Sequence, residues 1–238
     1  MKQMIFRDLT IITITFNNIQ ELKDTTNSID SLIHKGCNHI IINGGDSINP
    51  NLFPKSIVVN EVDNGPYDAM NKGIRRVATK YFMLIHSGDR FICDLKDFEL
   101  QYAQLEKEKL DLLLNDQIIH FHGYKRKHSS KFWKPILFYF GVQPPHLPII
   151  YRYDFIKNTN YLSRKSIIAD FEYLKKTFEK RPKYQKGNKI LIEMNGGGLT
   201  SSGFGSLLLV SKEFIKLYGV RGIFYSFLRI PFKILQSI

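Results

Sequence analysis

Cysteine, tryptophan and acid are all scarce in this 238-residue chain: two Cys, one Trp, and 22 Asp and Glu against 34 Lys and Arg. Cys37 and Cys93 are too few for a disulfide framework or a Cys-rich metal site, so two unpaired thiols in a reducing compartment are expected. No run of about 18 uncharged apolar residues exists, which excludes an ordinary membrane-crossing helix. Residues 1–10 carry Lys2, Arg7 and Asp8 and lack the apolar core of a secretory signal. A cytoplasmic chain is the expectation. Internal repeats and low-complexity tracts are also missing, and 43% hydrophobic with 24% charged residues excludes extended disorder.

What the chain has in excess is positive charge. The balance is +12 at neutral pH, with a pI near 9.5. Such a surface suits nucleic acid, an anionic membrane or a phosphate-bearing substrate, and charge alone does not choose among them.

The first half alternates strand and helix patterns. Residues 9–16 (LTIITITF) form a β-branched run suited to burial on both faces. Helical spacing follows over 18–32, then strands at 39–42 (HIII) and 56–60 (SIVVN), a helix over 67–78 and a strand at 81–85 (YFMLI). This alternation predicts an α/β layer with a mostly parallel sheet flanked by helices. Later strands are predicted at 110–114, 117–122, 147–153 and 189–194, with a helix over 166–180.

In an α/β sheet, ligands bind beyond the carboxyl ends of the strands. Three polar clusters fall there: Thr15-Phe16-Asn17, Asn43-Gly44-Gly45-Asp46 and His86-Ser87-Gly88-Asp89. Between them, Gly65-Pro66 suits a tight helix entry. Tyr67, Asp68, Asn71 and Lys72 would then project together from the first turn and a half, which is poor core material and good ligand-contact material. Carboxylates at this edge (Asp46, Asp63, Asp68, Asp89) would repel a phosphate backbone, so nucleic acid is not the expected partner.

The order TITFNN, IINGGDS, DNGPYDAMNKGI, YFMLIHSGDRF resembles the N-terminal half of family 2 glycosyltransferases, in the bacterial branch that builds O-antigen, capsule and colanic-acid-type exopolysaccharides. Weaker similarity runs through Pro145-His146, IIADFEY and Gly196-Gly197-Gly198, so it spans roughly residues 9–200. The resemblance implies a GT-A fold: one Rossmann-like domain over 1–200 that binds a nucleotide-sugar, by default UDP-linked, with a divalent cation. It places Thr15, Phe16, Asn17, Asn43 and Asp46 around base and ribose, and Asp68, Asn71, Lys72, His86 and Ser87 along the donor. Relatives often carry Asp where Asn43 stands, and Asp-x-Asp where this chain has His86-Ser87-Gly88-Asp89. Asp89 is therefore the implied metal ligand for Mn2+ or Mg2+, with a weak metal requirement. Asp170 of IIADFEY is the implied catalytic base for inverting transfer, Glu172 its fallback, and His146 and Gly197 lie on the acceptor side. A helix cap remains the alternative for Asp170, and a solvated helix residue the alternative for Lys72.

Residues 201–238 form a separate C-terminal extension, helical and basic, with five basic residues against Glu213. Over 220–238 a helix would place Arg221, Tyr225, Arg229 and Lys233 on one side and Ile223, Phe224, Leu228 and Ile234 opposite, with a kink or break at Pro231. Such a segment suits an anionic membrane interface, or a contact with the catalytic domain or a second subunit. The implied acceptor is a polyprenyl-diphosphate-linked glycan at the inner face of the cytoplasmic membrane.

Overall fold

The computed structural model describes residues 5–121, 124–162, 166, 168–195 and 203–235. Four strands run parallel on one side of the sheet: β1 (Leu9–Thr15), β2 (Asn38–Asn43), β3 (Ile57–Asn60) and β4 (Tyr81–His86), in the order β3-β2-β1-β4. Every residue of β1 is buried, so its sequence is continuous in β-branched residues rather than alternating. Each of its buried Leu and Ile side chains contributes roughly 1.5–3 kcal/mol. The helical stretch after β1 divides at Ile29 into α1 (Ile19–Ser28) and α2 (Asp30–His34). Asn18 caps α1 by accepting the Glu21 N–H at 3.1 Å. The helix α3 (Pro66–Ile74) starts on Pro66 after Gly65, whose φ of 109° few other residues would adopt.

The other side of the sheet is mixed. After β5 (Arg90–Phe91) comes α4 (Leu95–Glu108), a helix absent from the sequence-based expectations. Its signals are present: Asp94 accepts the Lys96 and Asp97 N–H groups, and Phe98, Tyr102 and Leu105 recur at helical spacing and are buried. Residues expected as two strands join into one, β6 (Leu112–Phe121), with a register shift at Asn115–Asp116. Asp116 is buried there and accepts from the Ser129 hydroxyl and the Ser130 N–H, both at 2.8 Å. The remaining elements are β7 (Tyr124–His128), β8 (Ile149–Arg152), α5 (Tyr153–Ile156), α6 (Ala169–Glu179) and β9 (Tyr184–Asn195). The sheet continues β4-β8-β6-β9-β5, with β7 paired to β6. β8 lies antiparallel to both neighbours, while β6 and β9 are parallel.

That reversal positions the site. Because β8 runs against β4, the loop leading into β8, which carries His146, meets the end of β4, which carries His86. Two helices close the described chain, α7 (Gly203–Tyr218) and α8 (Val220–Leu235), joined at Gly219 with φ 58°. The break expected at Pro231 does not occur, since α8 runs through it to Leu235. Phe171 of α6 packs against Phe138, Phe214, Tyr218 and Tyr225, so both C-terminal helices dock on the helix that carries Asp170.

Candidate active site

The three polar clusters do share one edge. Thr15 pairs with Asn43, Ile14 with His86, and the Ser87 N–H donates to the Ile14 carbonyl at 3.0 Å. Loops from successive strands interlock there. Asn17, at φ 51°, accepts the Asp46 N–H at 2.6 Å. A Cβ on Gly45 would lie 1.9 Å from the Asn17 side-chain oxygen, and one on Gly44 would lie 1.7 Å from an Asp63 carboxylate oxygen. The Gly-Gly pair is required because neighbouring loops fill the space its side chains would take. Phe16 is 66% exposed and free to meet a planar ring, Thr15 is buried with an unpartnered hydroxyl, and Asp46 is exposed.

Several residues expected to touch a donor are instead committed to the protein. Asn43 is buried and donates to the Asp46 carbonyl (2.7 Å) and the Asn60 side chain (2.8 Å), while accepting the Gly45 N–H (3.2 Å). It holds the loop instead of facing a ligand. Asn71, also buried, donates to the Tyr161 carbonyl at 2.8 Å and accepts the Tyr161 N–H at 2.9 Å, clamping α3 to a segment 90 residues away. Lys72 is neither solvated nor free: its ammonium donates to the Val62 carbonyl and lies 3.2 Å from Glu61 and 3.5 Å from Asp68. Asp68 accepts the Asn64 N–H at 3.0 Å, and that bond, assisted by Lys72, lowers its pKa.

The end of β4 forms a tight turn. The Thr25 hydroxyl donates to the Asp89 carbonyl at 2.7 Å and accepts the Gly88 N–H at 3.0 Å, and the Asn195 amide donates to the Gly88 carbonyl at 2.9 Å. Ser87 reaches the Asn18 carbonyl at 3.5 Å. Asp89 is buried; burial pushes its carboxyl up to about 7, against the pull of the His86 and Asn195 N–H groups. Sequence reading passed over Thr25 and Asn195, whose partners are distant in the chain.

Opposite lies the group with the clearest chemical character. His86 and His146 face one another with ring centroids 6.3 Å apart, and His146 Nε2 lies 3.5 Å from an Asp170 carboxylate oxygen. Burial lowers the pKa of His86 to about 3, with a smaller effect from His146, and lowers that of His146 to about 4; both rings are therefore neutral. Burial raises Asp170 to about 7. The Nε2 atoms of both rings and Asp170 Oδ1 are buried without a hydrogen-bond partner. Asp170 is not the helix cap: Ile168 occupies that position, and Asp170 sits within the first turn of α6. Tyr67 is bonded to the Asp170 backbone, and its ring stacks on Tyr161, which stacks on Tyr173 at 3.9 Å. Glu172, the fallback base, is close enough to Tyr218 of α7 to add to the rise that burial gives that hydroxyl's pKa. Gly197 lies outside the described residues.

Solved structures share this architecture. A mannosyltransferase from Pyrobaculum calidifontis, in complex with GDP-Man and Mn2+, superposes with a TM-score of 0.61, covering all of this chain and 75% of its own at 9% identity. The chain has the fold of this mannosyltransferase. S. aureus TarS, residues 1–349, matches with a TM-score of 0.63 in complex with UDP and 0.62 with UDP-GlcNAc, at 12% and 13% identity. The chain covers 65% of the UDP-bound TarS fragment, and 87% of the chain is matched. By sequence, uncharacterized glycosyltransferases of Mycobacterium tuberculosis strains CDC 1551 and H37Rv are 32% identical over 90 residues. That match covers 35% of this chain and about a third (34%) of each relative. No family model matches.

Proposed function

We propose that the chain is an inverting, family-2-like glycosyltransferase that moves a sugar from a nucleotide-sugar, UDP-linked by default, to a glycan carried on polyprenyl diphosphate in bacterial surface-polysaccharide synthesis. The observation that carries this reading is Asp170, a largely buried carboxylate with a pKa near 7, next to His146 at the ligand-binding edge of a glycosyltransferase fold. A general base works best with a pKa near the working pH. Asp170 takes the proton of the acceptor hydroxyl as that oxygen attacks the anomeric carbon. The bond from that carbon to the diphosphate breaks, and the nucleoside diphosphate leaves. Neutral His146 orients Asp170, and Tyr67 fixes the backbone on which it stands. The exposed ring of Phe16 serves the base of the donor.

A divalent cation would find little built for it. Among the described residues no three His, Cys, Asp or Glu side chains converge on a metal position. Asp89 is the single carboxylate of its loop, buried, with an oxygen 3.3 Å from the His86 N–H. The side chains present do not form a cation site on their own, and the chemistry is assigned to the chain's own groups.

Incubation with a panel of nucleotide-sugars and a lipid-linked acceptor, following nucleoside diphosphate release, tests the proposal. Release that Asp170→Asn abolishes supports it, and undiminished release in that variant removes the base assignment. The internal pairing of Asn43, Asn71 and Lys72 favours a second reading, a nucleotide-sugar-binding homologue without turnover. Donor binding without release under all conditions would select it.

A further inference from the structure

In its described first two turns, the last helix exposes a set of apolar side chains. Among the described side chains of α8, those turned toward the protein are Gly222, Tyr225 and Ser226. A Cβ on Gly222 would lie 2.1 Å from the Phe214 carbonyl oxygen, so α7 and α8 touch backbone to backbone at that point. The opposite stripe, Val220, Ile223, Phe224 and Leu228, follows the i, i+3, i+4, i+8 spacing of one helical face, and it is exposed, Val220 by 72% and Phe224 by 60%. Amphipathic helices of globular proteins place such a stripe inward.

A second element beside α8 also exposes apolar side chains. The 3-10 helix Pro135–Phe140 packs against α8: its C-terminal Gly141 is tight against Tyr225, and the Tyr139 hydroxyl lies within electrostatic reach of Tyr225. Phe138 anchors it in the core against Trp133 and Phe171. Ile136 and Tyr139 point away from that anchor and are exposed, Tyr139 by 66%. Cations adjoin it without counter-charges. The Lys186 ammonium donates to the Lys131 carbonyl at 2.9 Å, and Lys134 is close enough to depress the Lys186 pKa, after burial. Lys131 in turn lies 5.1 Å over the ring of exposed Phe132. Among the described residues, neither these three lysines nor Arg221 at the start of α8 forms an ion pair.

We propose that the outer stripe of α8 and the 3-10 helix Pro135–Phe140 form one composite face that docks on an anionic lipid bilayer, with apolar side chains in the acyl boundary and Lys131, Lys134, Lys186 and Arg221 at the headgroups. An apolar band with an adjoining set of unpaired cations has the charge complement of such a surface. A second copy of the chain fits it less well, because a two-fold contact would press like charges together. The face lies one helix layer from Asp170, since Phe171 rests on Phe138, Phe214 and Tyr225. The proposal deepens the lipid-linked acceptor reading, but its test needs neither donor nor acceptor, so failure of the transfer chemistry leaves it standing.

Co-sedimentation of the full chain with vesicles decides the matter. Binding is expected to vesicles of phosphatidylglycerol and phosphatidylcholine, to fall with added salt, and to be weak on pure phosphatidylcholine. Phe224→Glu and Ile136→Glu should each lower partition about tenfold or more, and Lys134→Glu about fivefold at low salt. These side chains are exposed, so the variants should keep the wild-type melting temperature, and Tyr139→Glu replaces any that does not. Absence of binding to anionic vesicles, or equal binding to neutral ones, overturns the proposal. Full binding by Ile136→Glu confines the contact to the tail and overturns the composite face. A dimer in light scattering that Phe224→Glu dissolves assigns the face to a second copy.

Discussion

The two sides of the strand-end edge carry similar polar residues in opposite circumstances. On the α3 side, Asn43, Asp68, Asn71 and Lys72 have their hydrogen-bonding groups met by neighbouring loops. On the α6 side, His86, His146 and Asp170 are partly buried, and each keeps an enclosed polar atom without a partner. A satisfied buried group stabilises; an unsatisfied one costs about 1–3 kcal/mol and persists where something else requires it. On the proposed function, the first set is scaffold and the second carries the chemistry.

The largest test of this contrast is Asp170→Asn. Turnover should fall by about 10²–10⁴ with donor affinity kept, as read by single-turnover kinetics and calorimetry; retained turnover would erase the distinction. Asn71→Ala strikes the scaffold side. It leaves the Tyr161 N–H and carbonyl unpaired, so the fold should lose about 2–5 kcal/mol, measured by urea unfolding. A stable variant impaired only in donor binding would return Asn71 to the ligand.

Next comes pH. Asp170 must be ionised to accept a proton, so kcat/KM should rise about tenfold per pH unit and level off above about 7. A profile flat from pH 5 to 8 would exclude it as the base. The smallest expected effect is on stability. The folded pKa of Asp170 is raised, so its contribution is complete below the unfolded value of about 3.9 and is lost as pH rises through about 7. Asp170→Asn should therefore melt above the wild type at pH 8 and near it at pH 4. An unchanged difference between the two would show that Asp170 is solvated.

The parallel half of the sheet was legible because both-face burial writes itself as unbroken runs, LTIITITF and YFMLI. Register then places Thr15, Asn43 and His86 on one edge, as their positions after strands imply. Other features were hidden for identifiable reasons. The polar pair Asn115–Asp116 reads as a gap between strands because its partners are distant in the chain: Pro148 for Asn115, and Ser129 and Ser130 for Asp116. Asn71 and Lys72 read as ligand contacts because a polar helix face looks the same whether it meets a substrate or a distant loop. Helix α4 was missed although Asp94 and the spacing of Phe98, Tyr102 and Leu105 announce it. On α8 the two faces were separable by spacing, but which one met the protein depended on Gly222, a residue with no hydropathy to weigh.

The clamp between Asn71 and Tyr161 also bears on the order in which the molecule can be assembled. During synthesis, a chain released only as far as β4 has an α3 whose central amide has no mate, and none arrives until the ribosome has added some 75 residues more. The first half should thus be a poor candidate for excision as a free-standing module. The clamp on α3 closes only when the segment leading into α6 arrives, so on the proposed function a donor-binding half would seldom exist without its proton acceptor.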